Sequence, residues 1–445
     1  MVIIQEQETR HWMSLIYKFL SKFAWLADSF VLDFYEKSHW NMLPLSCQDF
    51  LPTLKSHDLA DLLDFNSISN KHGWEASLKR KQIPPLNLLA LRSTVKLLSL
   101  NRRLVIDGQN DEKSDDYVDE FKTLFSRHVK PKKRHEIISF CSVVSKMCNS
   151  SSTSHIFDVG SGLGHLSRYL SYGCSLNLTC IDCVNKFGES ATKFDSELES
   201  FLTKRKAGSH SRPPIHICAR LELNKHEKEL QLQDENFGIV GLHSCGNLGP
   251  VIIHNYVNSP AKFALSVGCC WQKMDGNGFP LSKYGTEKEF RLSYEALEVA
   301  CHAIEQYCER LRGDHVGKLM IHAYRAALET ILVQKFGIQR AGLKGVKHAE
   351  RISFCEYAHQ AVKNLDINLS DDSLKTEEID KMLKDWFKVV LFFSLRQLVA
   401  NVVETLVILD RSLFIKENLP DAHVQIVALF DPEISPRNLA IISER

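Results

Sequence analysis

The sequence predicts an α/β protein built around a parallel β-sheet, and three observations predict it. A short apolar segment at residues 156–159 runs straight into Gly160-Ser161-Gly162-Leu163-Gly164, and a helical pattern opens at Leu166. A second apolar segment, 176–182 (LNLTCID), ends in an acid, Asp182. Further short apolar segments at 215–219, 237–242 and 262–267 alternate with helical stretches. Strand, glycine turn and helix in succession open a Rossmann-type unit, and the alternation places helices on both faces of the sheet.

The first strand and its turn carry the chemistry. Glycines let the backbone pass close to a ligand, and the following helix presents unpaired N–H groups at its N-terminus. The spacing is G-x-G-x-G, with His165 where a dinucleotide fingerprint needs its third glycine. That argues against a nicotinamide dinucleotide and for a ligand without a pyrophosphate. A tight turn with no ligand is the plain alternative. Asp182 lowers its weight, because it stands where an acid that binds ribose hydroxyls belongs.

The 445 residues accommodate two or three domains, or one decorated catalytic domain. A hydrophobic share of 44%, a charged share of 24% and a net charge of +1 describe an ordinary globular chain. Any nucleic-acid binding must therefore come from local patches. Thirteen scattered cysteines, odd in number, make no secreted framework, and MVIIQEQETRHW has no basic segment followed by a long apolar core. The expectation is free thiols in a reducing compartment, cytoplasmic or nuclear. No uncharged apolar run reaches the roughly 18 residues of a membrane span. Residues 389–409 are interrupted by Arg396 and Glu404 and read as one buried helix.

In chain order, residues 1–104 are helical in pattern, with Leu15, Phe19, Phe23, Leu26 and Phe30 forming an apolar stripe. Residues 107–120 are acidic and poor in apolar residues, an exposed linker. The predicted organisation is a helical N-terminal subdomain at 1–120 and a sheet domain at 121–445. That domain carries a large helical insertion at 287–418 before the last strand, 423–430, which is expected at the sheet edge. A basic run at 130–135 precedes an apolar helix, and residues 204–214 form a basic loop.

Ligands of such sheets bind beyond the carboxyl ends of the strands. Two unusual loops fall there: His243-Ser244-Cys245-Gly246-Asn247-Leu248, and Gly268-Cys269-Cys270-Trp271. His243, Cys245, Cys269 and Cys270 could supply four metal ligands, but their spacing matches no standard structural zinc pattern, and no metal is expected. A nucleophilic cysteine would need a paired base that the sequence does not reveal.

The D-x-G-x-G-x-G loop with Asp182 resembles S-adenosylmethionine-dependent methyltransferases of the Rossmann-like class. The resemblance implies that Asp158, Gly160, Gly162 and Gly164 hold the methionine end of the cofactor and Asp182 its ribose. It also implies Ser161 and Cys183 as cofactor contacts. The acid usual after the third strand is missing: Arg220 follows, with Glu222 two positions on. A wider set of motifs is similar to the methyltransferase-like protein 25/25B family. It comprises the glycine loop, HSCGNL, GCCW, Phe279-Pro280-Leu281-Ser282-Lys283, Leu409-Asp410-Arg411, Phe430-Asp431-Pro432 and Ser435-Pro436-Arg437-Asn438. Some members carry a ribosomal RNA adenine dimethylase label, but HSCGNL departs from the N-P-P-Y type loop of adenine N6 enzymes. H-x-C-G followed by C-C is closer to tRNA ribose 2′-O-methyltransferases with H-L-C-G and C-C-H motifs, although Trp271 replaces the last His. The expectation is a methyltransferase acting on RNA, at a ribose 2′-O or a base. His243 is its candidate base and Trp271 a stacking surface for the substrate. The plain alternatives are a histidine bonded behind the loop, a core tryptophan, and a binding or scaffold protein that keeps the fold.

Overall fold

The computed structural model describes residues 1–65, 83–104, 125, 129–204, 212–223, 236–313 and 316–445. The chain divides into two compact units, one of Met1–Tyr17, Leu100–Leu292 and Glu404–Arg445, the other of Lys18–Ser99 and Ser293–Val403. The acidic stretch 107–120 and residues 205–211 of the basic loop lie outside the described residues.

The first unit is α/β, with a Rossmann-like sheet. Its strands are β1 (Val2–Ile3), β2 (His155–Val159), β3 (Asn177–Asp182), β4 (Ile215–Cys218), β5 (Phe237–Ser244), β6 (Phe263–Gly268), β7 (His423–Ala428) and β8 (Leu439–Glu444). They lie in the order β1-β7-β8-β6-β5-β2-β3-β4. Strands β2 to β6 pair in parallel, and β8 runs antiparallel between β6 and β7. Ile156, Phe157, Ile239, Val240, Phe263 and Leu265 are buried, as continuous apolar runs covered on both faces should be. The Pro131–Ser151 helix packs Ile137, Phe140 and Val144 into the same core.

β2 lies between β3 and β5, so the chain leaves it in opposite directions for the two halves of the parallel sheet. That reversal opens a crevice beyond the carboxyl ends of β2 and β5.

The last part of the sheet differs from the expectation. Residues 423–430 do supply a strand, but β7 is interior, with β1 pairing Val2 to Ile426 on its outer side. The final strand is β8. Leu429 N–H donates to the Asn438 carbonyl at 2.8 Å, and Asn438 Nδ2 donates to the Phe430 carbonyl at 2.9 Å. Asn438 thus closes the β7–β8 hairpin.

The second unit is helical. Tyr324, Leu328, Phe354, Tyr357 and Ile379 make its core, and Arg340 ties Asp33 (2.8 Å) and Glu295 together. The segment 389–409, expected as one helix, is two, Trp386–Leu398 and Ala400–Asn418. Each interrupting charge is paired: Arg396 with Glu298 at 3.0 Å, and Glu404 with Arg102 and Arg437. No helix among the described residues is long and apolar enough to cross a membrane.

Candidate functional site

The turn after β2 is held by its own backbone. The amides of Gly160 and Ser161 donate to the Ile181 carbonyl at 2.8 and 3.3 Å, which locks the turn to the end of β3. Gly160 and Gly162 have φ of +79° and +56°, a conformation that costs glycine nothing and a side-chain-bearing residue a good deal. A Cβ on Gly160 would fall 2.5 Å from Leu248 Cδ2, whereas one on Gly162 would meet open space. Gly164 caps the short His165–Arg168 helix.

Asp182 closes this arrangement. Its Oδ2 accepts from the Gly162 amide at 2.9 Å and its Oδ1 from the Val184 amide at 2.9 Å. Each oxygen keeps acceptor capacity for a hydroxyl, so the carboxylate fits a ribose. Asp158 plays a different part. It is fully buried beneath the turn, it accepts from Ser167 Oγ at 2.5 Å, and burial pushes its carboxyl up to about 6.

Gly160, Asp182 and Cys183 line one side of a cleft of about 680 Å³, a size suited to a cofactor. Residues 219–223 border it beyond β4, where the Ala219 amide donates to the Asp182 carbonyl at 3.1 Å. Cys245, Asn247, Lys273 and Asp275 border it beyond β5 and β6. Asn247 belongs to the HSCGNL loop, whereas Lys273 and Asp275 escape a motif reading because they are ordinary loop residues. Only the meeting of two loops gives them a place.

Those two loops do meet. The Gly246 amide donates to the Cys270 carbonyl at 3.2 Å, Sγ of Cys245 lies 2.9 Å from Sγ of Cys269, and Cys269 lies 3.5 Å from Cys270. The Cys269 hydrogen bond overcomes burial and, with help from the Lys273 charge, draws the Cys245 thiol down to about 6. The same contact, with burial, drives the Cys269 thiol up.

Neither His243 nor Trp271 is among the residues that line the cleft. His243 has a left-handed backbone, φ +66°, and Nε2 lies 2.8 Å from Oε2 of Glu136. Its side chain is 31% exposed. Burial pushes the Glu136 carboxyl up, but the bonds from His243 and Ser435 outweigh it and hold the group below its ordinary range. Trp271, expected to stack on substrate, is 2% exposed, and the Arg411 guanidinium sits 4.8 Å over its ring. A Cβ on Gly268 would fall 2.3 Å from the indole, so the ring is packed core and offers no face to a base. The remaining motifs are structural. Asp410 accepts from Leu281 N–H (2.7 Å), Ser282 N–H (3.1 Å) and Ser282 Oγ (2.6 Å), which joins the FPLSK and LDR segments.

Comparison with known proteins points to a methyltransferase domain. Residues 132–277 match a family model described as a methyltransferase domain. The chain is 30% identical over 264 residues to the "Probable methyltransferase-like protein 25" of Homo sapiens, a match covering 54% of this chain and 42% of that protein. It is 30% identical over 226 residues to the Mus musculus protein of the same name, covering 46% and 37%. The matches thus span less than half the length of these curated relatives. Among solved structures, the plantazolicin methyltransferase BpumL in complex with SAH aligns over 63% of this chain and 95% of that one. Its identity is 13% and its TM-score 0.23, a likeness that bears no weight. Residues 132–277 thus match a methyltransferase domain, and the chain is similar over about half its length to proteins named methyltransferase-like protein 25.

Proposed function

We propose that this protein transfers a methyl group from S-adenosylmethionine to an acceptor on RNA. The carrying observation is the 2.9 Å bond between the Gly162 amide and Asp182, which unites the glycine turn and the ribose acid at one wall of the cleft. The donor supplies a sulfonium-bound methyl group. The chain supplies alignment, the main requirement of an in-line displacement. In this reading Gly160 to Gly164 seat the methionine end, Asp182 accepts from the ribose hydroxyls, Cys183 borders the sugar, and backbone N–H groups of 220–223 face the adenine. Asp158 supports the turn from below. The acceptor approaches from the Cys245 and Lys273 side, where the Lys273 ammonium suits a phosphate. His243, anchored by Glu136, is the proposed base for a ribose hydroxyl.

The reading is tested in two steps. S-adenosylmethionine is titrated into the purified protein by calorimetry, with Gly162→Arg as the control that blocks the turn. Transfer of labelled methyl to fractionated cellular RNA and protein follows. Label in RNA that Gly162→Arg abolishes supports the reading. Label in protein overturns the RNA acceptor, and binding without any transfer points to a scaffold.

A further inference from the structure

We infer that Cys245, Cys269 and Cys270 form a three-thiolate site for a zinc ion at the edge of the cleft. Topology delivers them. β5 and β6 are parallel neighbours with Ser244 in register with Gly268, so the residues that follow, Cys245 and Cys269, emerge side by side. Gly246, at φ +55°, turns the first loop back, and the bond from its amide to the Cys270 carbonyl clamps it to the second. The three sulfurs lie within 4.8 Å of one another, the only such group of histidine, cysteine or acidic ligands among the described residues.

The distances suit a metal better than a disulfide. Zinc–sulfur bonds of about 2.3 Å in a tetrahedral site set ligand sulfurs roughly 3.8 Å apart. The observed contacts of 2.9 and 3.5 Å reach that spacing with small rotations of the thiols. A disulfide would need its sulfurs at about 2.0 Å.

Charge supports the same conclusion. Arg411 is fully buried, and its guanidinium donates to Met274 Sδ at 3.1 Å and covers Trp271. Among the described residues no carboxylate forms an ion pair with it, and the oxygens of Asp410 are taken by Leu281 and Ser282. A buried cation of this kind calls for an anion nearby. Its electrostatic neighbours are Asp410 and Cys269. Three thiolates around a divalent ion leave one net negative charge, which Arg411 would balance. Binding deprotonates the thiols and releases their protons to solvent. An all-sulfur donor set selects zinc over harder cations.

His243 is not a fourth ligand in this geometry, because its ring nitrogens are not within 4.8 Å of all three sulfurs. The fourth position is left to water or to a donor atom of the acceptor, the open arrangement of sites with three protein ligands. Cys245 borders the cleft and all three cysteines are only partly buried. That placement at the acceptor end rests on the proposed methyl-donor site; the metal site itself does not.

The test uses the full chain, purified without a histidine tag under reducing conditions. Elemental analysis should find about one zinc per chain, and cobalt(II) titration of the metal-free protein should give thiolate-to-cobalt charge-transfer bands. Cys269→Ser should lose both while binding S-adenosylmethionine within about twofold of wild type. Gly162→Arg should lose the cofactor and keep the zinc, so the two readings fail separately. Should Cys269→Ser not fold by circular dichroism, the wild-type cobalt titration decides alone. Reduced wild-type protein with neither zinc nor cobalt–thiolate bands overturns the site. So does a metal-free protein whose Cys245 and Cys269 are found disulfide-linked.

Discussion

Nε2 of His243 lies 2.8 Å from Oε2 of Glu136, a carboxylate only 1% exposed whose other oxygen accepts from Ser435 Oγ at 2.5 Å. The contact joins the carboxyl end of β5 to the Pro131–Ser151 helix, 107 residues away in sequence. It fixes the imidazole, with Nε2–H donating to the carboxylate, and leaves Nδ1 as the ring nitrogen that can take up a proton.

Two substitutions separate anchoring from catalysis. His243→Ala removes a bond to a buried ionised carboxylate and should cost about 1–3 kcal/mol of stability at neutral pH. The Glu136 carboxyl is lowered in the folded protein, so its contribution is present above the unfolded value and lost as pH falls through the folded one. The stability deficit of His243→Ala should therefore shrink in acid. As the proposed base, His243 also predicts a loss of turnover of about 10²-fold or more with cofactor affinity unchanged. Glu136→Gln, which keeps a polar partner for the ring, should lose less. Full activity of folded His243→Ala would reduce the histidine to an anchor.

Asp182→Ala tests the ribose contact. The substitution deletes the acceptor for the Gly162 and Val184 amides as well as the proposed bonds to ligand hydroxyls. A loss of roughly 1.5–3 kcal/mol in binding, ten- to about a hundredfold in Kd, is expected by calorimetry. Affinity within about twofold of wild type would remove Asp182 from the cofactor site.

The parallel half of the sheet is legible in the sequence because each of its strands is a short apolar run bounded by a turn, and the glycine turn follows directly on β2 while Asp182 ends β3, each positioned by its own strand. β8 is not legible in the same way. LAIISE declares itself a strand only once Asn438 has folded it back against β7. Partners distant in sequence are also hidden. Nothing near Trp271 shows that Arg411, 140 positions on, will cover its ring, and nothing near His243 points to Glu136. The cysteines lie between these cases. Their spacing fits no metal pattern, yet the adjacency of β5 and β6 follows from the fold class and brings them together.

The two glycines at the head of the turn should respond differently to alanine. At Gly160 the new methyl group would fall 2.5 Å from Leu248 Cδ2, in addition to the left-handed backbone at φ +79°. At Gly162 only the backbone cost applies, roughly 1 kcal/mol. Thermal unfolding should rank Gly160→Ala below Gly162→Ala, by less than the roughly 1–3 kcal/mol of a packed core because Leu248 is only half-buried. Equal melting temperatures would mean that Leu248 yields freely.

Asp158 yields the clearest pH prediction. Its carboxyl is pushed up to about 6, chiefly by burial, from an unfolded value of 3.8. A group whose folded value is raised binds its proton more tightly when folded, so its contribution is fully present below 3.8 and lost as pH rises through about 6. At neutral pH the protein therefore carries a buried, ionised carboxylate held by Ser167. Asp158→Asn keeps an oxygen that accepts from Ser167 Oγ and removes the ionisation. The variant should gain stability relative to wild type between about pH 4 and pH 7, by on the order of 3 kcal/mol over the full window. Denaturant unfolding at several pH values reads this difference directly. A stability difference that does not change with pH would show that Asp158 is ionised at no unusual cost, and that polar groups beneath the turn solvate it.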